Sequence, residues 1–574
     1  MKTKEQLRDL LRSIDHKGYP QYKSLRGEYR FSDYILSIDH VQGDPFASPS
    51  HLHVRMPHSV CGFPTEFYKK EPARTALADY VLRSFGDAVR QFSFQAKGSG
   101  KSGLISVSSC TQEILKRSAC EITEKELIVR FHVGFPANGR TINAGELEKI
   151  LFTFLPQAVQ KALLYKSLDP GRLKRQIELA EDQAWIRTWL KENHMAAFVA
   201  EGAVLPRESG ISDRPMKKAV PFVSPETLRK TLELPHKGRI TGMGIPEGIT
   251  LIVGGGYHGK STLLDALQMG VYSHIAGDGR EYVITDETAV KLRSEDGRFV
   301  KDVDVSMFIN HLPSGKDTRS FCTEDASGST SQAAGIVEAI EAGSRLFLMD
   351  EDTSATNFMV RDAFMQTVIA RDKEPITPFL ERARELYEKE GISTILVAGS
   401  SGAFFHIADT VIQMDTYKPV DITSKAKALC IDFPISQERP EEYVPSRKAR
   451  TMSRDETVHI RRNYYGKSTG QPEKLKIHVN GTDGFSLGRQ EVDLRYVEQI
   501  TDSEQTHALA CLLKYTVENL TDGKRTLGQC AEELYRFLEK QGFALLSEGG
   551  YTFAGLAMPR KQEIYSCLNR YRRP

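Results

Sequence analysis

The sequence predicts an α/β protein: a central, mostly parallel sheet covered by helices, between an N-terminal α+β domain and a smaller C-terminal α+β domain. Three observations predict it. Between about residues 228 and 432, apolar runs of strand length (ITLIVGG, RLFLMDED, STILVAG, DTVIQMD) alternate with helix-length segments, the pattern of strands joined by crossover helices. The first of these runs passes through a glycine-rich turn into the helical pattern STLLDALQMGVYS. The regions on either side mix short helical and strand patterns without that alternation.

Taken in order, residues 1–207 form the N-terminal domain. Its opening stretch sets Leu7, Leu10, Leu11 and Ile14 on one helix face, and its charges leave no apolar core for a signal peptide. Residues 208–228 read as a linker or an ordered long loop, because ESGISDRPMKKAVPFVSP is rich in Pro, Ser and charge and has no periodicity. Residues 229–435 are the central domain and residues 436–574 the C-terminal one, with helical patterning near 506–520 and 531–541. At 574 residues, the length suits three or four domains of roughly 150 residues.

Composition excludes more than it selects. Lys+Arg at 77 against Asp+Glu at 75 leaves a formal charge of +2, so any basic surface must be local. No run of about 18 apolar residues predicts a membrane span. The eight cysteines are scattered without a C-x-x-C pair, which argues against a zinc site or a disulfide framework and fits a reducing cytoplasm or an organelle matrix.

The chemistry sits in three strings. Gly254, Gly255, Gly256, Tyr257, His258, Gly259, Lys260 and Ser261 form a full G-x-x-x-x-G-K-S, followed by Thr262. Such a turn points backbone N–H groups at phosphate oxygens, and the helix start behind it adds partial positive charge. Lys260 suits the β- and γ-phosphates of ATP and the Ser261 hydroxyl suits Mg²⁺. In the second string, the apolar run at 346–349 ends in Asp350 and Glu351. That places one carboxylate to hold Mg²⁺ through water and one to act as general base on the attacking water. The third is Asp325-Ala326-Ser327-Gly328-Ser329-Thr330-Ser331-Gln332, which by itself reads as a helix cap.

In this order these strings resemble the ABC ATPases, whose signature is written LSGGQ. Ser327 and Gly328 match its Ser-Gly core, Ser329 follows, and Ser327 stands 23 residues before Asp350. Thr353-Ser354-Ala355-Thr356-Asn357 looks like the D-loop that follows the acidic pair. The strings VQGDPFASPS, GSGKSG, DASGSTSQAA, DEDTSATNF and EPITPF narrow the resemblance to the family called predicted ATPases of the ABC class, over nearly the whole chain. The resemblance implies Mg-ATP bound between two copies of the chain, each signature facing the other copy's phosphate loop.

The departures carry expectations of their own. Only 67 residues separate Lys260 from Ser327, so the helical subdomain that docks on a permease in transporters should be reduced. The Q-loop glutamine has no clear counterpart, Asn310 being a substitute. The switch histidine expected after STILV is missing: Gly399 and Ser400 stand there, and His406 lies further on, so hydrolysis should be slow. The string 98–103 lacks the leading glycine of a phosphate loop, because position 95 is Gln, and reads as a polar turn, the alternative being a contact of Lys101 with nucleotide or nucleic acid.

Two basic clusters in the C-terminal part, Arg447, Lys448, Arg450, Arg461 and Arg462 with Tyr464 and Tyr465, then Arg572 and Arg573 with Arg560 and Arg570 before them, interleave cations and aromatics. That mixture suits RNA or single-stranded nucleic acid as well as a solvated face. The expectation is a homodimeric ATPase acting as an ATP-gated RNA clamp. The alternative is an ATP-binding switch or scaffold for protein partners, with little hydrolysis and no nucleic acid.

Overall fold

The computed structural model describes residues 1–361, 368, 373–434, 443, 450–453, 460–462, 467–472, 475–547 and 549–572. They fall into two compact units, Met1–Glu181 with Leu538–Met558, and Asp182–Phe537 with Pro559–Pro574. No helix among the described residues is long and apolar enough to cross a membrane.

In the first unit a mixed sheet is built around Ser50–Pro57 and Glu126–Val133, which pair antiparallel along eight residues. Strand alternation sets its faces: Leu52, Val54 and Met56 are buried beneath the helix-covered side, while His51, His53 and Arg55 stay half-buried. Helix Glu71–Arg90 contributes Leu77, Val81 and Phe85 to that core. Residues 538–558 complete the unit: Ser118 N–H donates to Leu556 O at 2.9 Å, Met558 N–H to Lys116 O at 2.8 Å, and Ala554 enters the core. Residues 538–558 of the predicted C-terminal domain, 436–574, thus cluster with the N-terminal unit through backbone pairing and apolar burial.

The second unit holds the sheet that positions the site. Its six strands run in the order Val290–Leu292, Leu346–Asp350, Ser393–Val397, Ile249–Val253, Thr410–Asp415 and Lys418–Asp421. The first five are parallel and the last turns back antiparallel. Ile252 and Asp350 both lie level with Val397, on either side of it. The phosphate-loop strand and the acidic strand thus end at one edge, one strand apart, where ligands of open α/β sheets bind.

A second, antiparallel sheet orders Arg229–Leu234, Gly238–Pro246, Met195–Ala200 and Val283–Thr285. The sheet draws on both sides of the predicted linker or ordered loop at 208–228. Met195–Ala200 lies before it yet pairs with strands after it, burying Phe198 against Ile186, Leu232 and Ile284. Inside the supposed linker, Arg207–Ser209 and Ser212–Pro215 form a hairpin. Between the helices Lys260–Met269 and Gly328–Glu341 there is no α-helix at all, only strands, including the hairpin Arg298–Val303 with Phe321–Ala326 that leads into the signature. The helical subdomain expected to be reduced is absent from this interval.

Candidate functional site

The phosphate loop leaves Ile249–Val253 and enters the helix at Lys260. Two glycines are required there by backbone geometry. Gly254 has φ +143°, and a Cβ on it would stand 2.4 Å from Met414 O; Gly259 has φ +95° beside Tyr417. Gly256 borders open space, and Gly255, Gly256 and Tyr257 are exposed, Tyr257 with φ +63°. His258 braces the loop by accepting the Thr416 N–H at Nδ1, 2.9 Å. Lys260 Nζ donates to the carbonyls of Gly254 and Gly255 at 2.7 and 3.0 Å, which holds its charge over the turn. Ser261 is exposed on the first helical turn and Thr262 half-buried beside it. Among the described residues, no acceptor takes the amide N–H of Gly255, Gly256, Tyr257, His258 or Gly259.

Across the strand Ser393–Val397 stand Asp350 and Glu351. Burial pushes the Asp350 carboxyl up, against the Asp352 N–H and the charges of Lys291 and Lys260. Glu351 goes the other way. Its burial acts to raise it, but four donors outweigh that and hold it below the usual carboxylate range. Ser400 Oγ lies 2.5 Å from Oε1, and the N–H groups of Gly399 and Ser400 lie 2.7 and 3.0 Å from Oε2. The sequence showed Gly399 and Ser400 in the switch-histidine position; it gave no sign that this loop grips the glutamate.

The third string folds as a cap and its helix. Ser327 caps Gly328–Glu341 and is exposed, while Ser329 is buried and donates to Asn357 Oδ1 at 2.9 Å. Gln332 accepts the Ala355 N–H and donates to Ser354 Oγ, whose hydroxyl reaches Asp350 O at 2.8 Å. The signature helix and the segment after the acidic pair are therefore pinned together by side chains. Gln332 and Asn357 carry this bracing, which their places in the signature and D-loop strings alone do not reveal.

The signature opens onto a groove lined by Ser294, Asp296, Leu312, Thr330, Asn357 and Ile376, with Ser327, Gly328 and Ser329. None of the phosphate-loop residues lines it. Asn310 donates to Ser306 O at 2.7 Å. His406 lines an apolar groove with Phe405, Leu429 and Phe433, and Glu351 is not part of that groove.

The donor set fits Mg²⁺ held on a nucleotide. No group of three or more His, Cys, Asp or Glu among the described residues could hold a metal by itself. Ser261 and Asp350 offer one hydroxyl and one carboxylate, and Mg²⁺ bound to phosphates needs few protein ligands. Bound there, the ion would neutralise charge on the phosphate oxygens.

The basic clusters need correction. Arg450 is 6% exposed, its guanidinium spent on Glu341, Asn569 and Tyr565, so it cannot contact nucleic acid. Arg570 is buried likewise, on Glu295, and Arg560 is half-buried and paired with Glu563. Arg447, Lys448, Tyr464, Tyr465 and Arg573 lie outside the described residues. Arg461 and Arg462 belong to a hairpin strand, and Arg572 is exposed.

Three family models match the chain. The ABC_ATPase P-loop domain covers residues 169–450, the N-terminal domain of ATPases of the ABC class residues 4–166, and the MRB1590 C-terminal domain residues 476–574. The uncharacterized protein MJ1628 of Methanocaldococcus jannaschii is 31% identical over 247 residues, 41% of this chain and 54% of that protein. The chain thus spans about half the length of this curated relative. Solved structures that match include cbiO1 from Clostridium perfringens, part of the ABC transporter complex cbiONQ, at 16% identity and TM-score 0.23, covering 35% of this chain and 90% of that one. Another is the ADP conformation of MJ1267, an ATP-binding cassette of an ABC transporter, at 12% identity and TM-score 0.25, covering 42% and 96%.

Proposed function

For a chain that belongs to the stand-alone ABC-class ATPases with flanking domains, we propose a homodimer that closes on two Mg-ATP and hydrolyses them slowly. One observation carries the reading: the groove at Ser327, Gly328 and Ser329 contains no residue of the chain's own phosphate loop. Each chain then holds two half-sites, and a two-fold pair completes both. Lys260, Ser261 and the free amides of residues 255–259 take the phosphates; Asp350 with Ser261 holds Mg²⁺.

Slow turnover follows from Glu351. A carboxylate saturated by Ser400 and two backbone amides, and held below its usual range, is a weak base toward water. Without a switch histidine, one transition-state contact is also missing, which costs about a hundredfold in rate.

The clamp reading extends to RNA or single-stranded nucleic acid. It is supported by the cationic sequence at 447–467 and by exposed Lys467 and Arg572. One experiment tests both parts on Glu351→Gln. With Mg-ATP the protein should double its scattering mass, and its RNA affinity should change with nucleotide and fall with salt, with a slope near −0.7 per phosphate contact. An unchanged mass rejects the closed dimer. A dimer that binds no RNA at low salt in either nucleotide state points to the protein-scaffold alternative.

A further inference from the structure

The signature helix Gly328–Glu341 is held from outside the central sheet, by the C-terminal part of the same unit. At its far end, Glu341 accepts from Arg450, and the Tyr565 hydroxyl and Asn569 complete the Arg450 shell. In its last turn, Glu338 also pairs with Arg298 of the hairpin strand Arg298–Val303, both nearly fully buried. Near its start, the backbone N–H of Glu295 donates to Ser331 Oγ at 2.9 Å. The Glu295 carboxylate in turn takes Arg570, the last residue of helix Lys561–Arg570, at 2.5 Å.

The same C-terminal part also grips the phosphate-loop helix. Gln499, 3% exposed, donates to Gln268 O and Ala289 O, and its Oε1 accepts the Lys291 N–H. Tyr272, just past that helix, donates to Gln499 O at 2.8 Å and accepts from Gln505. Buried charges with buried partners are costly to separate, since each is stranded without water when the other leaves. The Gln499 amide is costly to strand for a milder reason, because a buried polar group left without its partner keeps its desolvation cost.

We propose that Arg570 and Glu295 are positioning residues for the signature: through them the C-terminal part fixes Ser327, Gly328 and Ser329 relative to the phosphate-loop helix of the same chain. This rests on the composite-site reading above. A ligand or partner that moves helix Lys561–Arg570 then changes how the signature meets ATP on the other copy, without touching nucleotide. With no helical subdomain between Met269 and Gly328, the C-terminal part offers such a signal a route to the signature.

Two measurements on the full chain test it. In the Glu351→Gln background, Arg570→Met should weaken ATP-driven dimerisation about tenfold, the scale of coupling between residues in one buried network. ATP affinity of the monomer should stay within about twofold, and Arg570→Lys should recover part of the loss. Dimerisation unchanged in folded Arg570→Met overturns the proposal, as does a loss of ATP affinity in step with it, the mark of general destabilisation.

Hydrogen exchange on the Glu351→Gln protein keeps the test alive if the variant fails to fold. On adding Mg-ATP, amides at 327–331 and at 561–570 should both slow. Slowing at 327–331 alone overturns the coupling. No slowing at 327–331, with ATP bound at the phosphate loop, overturns the composite site on which the proposal stands.

Discussion

Two glycine-rich turns in this chain share composition and differ in everything that matters for chemistry. At 98–103, the N–H groups of Ser99, Lys101, Ser102 and Gly103 donate to the carbonyls of Ala137, Pro45, Ser99 and Gly134. The glycines are there for close packing: a Cβ on Gly103 would meet Ala96 O at 2.0 Å, and one on Gly134 would meet Lys101 O at 1.8 Å. At 254–261 the amides of Gly255 to Gly259 have no acceptor among the described residues, and Gly256 borders open space. A turn that satisfies its own amides is a structural knot, while one that leaves them exposed is an anion site.

The knot also accounts for the VQGDPFASPS string. Lys101 N–H docks on Pro45 O, Gln42 Oε1 accepts from Ser50 and Phe135, and Asp44 accepts from Phe46 and Ala47.

The largest effect that sharpens this contrast comes from the two lysines. Lys260→Ala should lower ATP affinity about a hundredfold, the worth of a charge-assisted contact to phosphate, without unfolding the protein. Lys101→Ala should leave the affinity unchanged; calorimetric titration of both variants decides. Next come the glycines. Gly103→Ala should cost about 2 kcal/mol of stability through forced overpacking and a φ of +80°, with ATP affinity retained. Gly256→Ala should leave the unfolding midpoint unchanged. If Gly103→Ala instead abolishes ATP binding in a folded protein, the knot assignment fails.

The smallest effect concerns Ser400. Because the Glu351 carboxyl is held below the usual glutamate value of 4.5, its tether contributes fully above that pH. The contribution is lost as pH falls through the depressed folded value. Ser400→Ala should therefore cost about 1 kcal/mol at pH 7, after allowance for solvent screening, with the difference shrinking below pH 4.5. Denaturant melts across pH 3 to 7 measure it. A cost that does not vary with pH would show that Ser400 contributes packing and not a bond to a carboxylate.

What the sequence revealed was local. A strand, a glycine turn and a helix are contiguous at 249–269, and an apolar run ending in Asp350 and Glu351 is legible as it stands. What it concealed was partnership over distance. Arg450 looked like a surface cation because Glu341 lies 109 residues away, and Arg570 because Glu295 lies 275 away. Met195–Ala200 looked unremarkable because its strand partners lie beyond a polar stretch. Charge counts along a chain cannot tell a solvated arginine from one that closes a buried pair.

The central claim is that phosphate loop and signature act in trans, and mixing two inactive chains tests it most directly. Lys260→Ala destroys the phosphate loop and leaves the signature; Ser327→Phe destroys the signature and leaves the phosphate loop. Each alone should hydrolyse no ATP above background. An equimolar mixture should recover activity, since a heterodimer holds one intact composite site. A mixture as inactive as its parts, with heterodimers present by mass, would contradict the account.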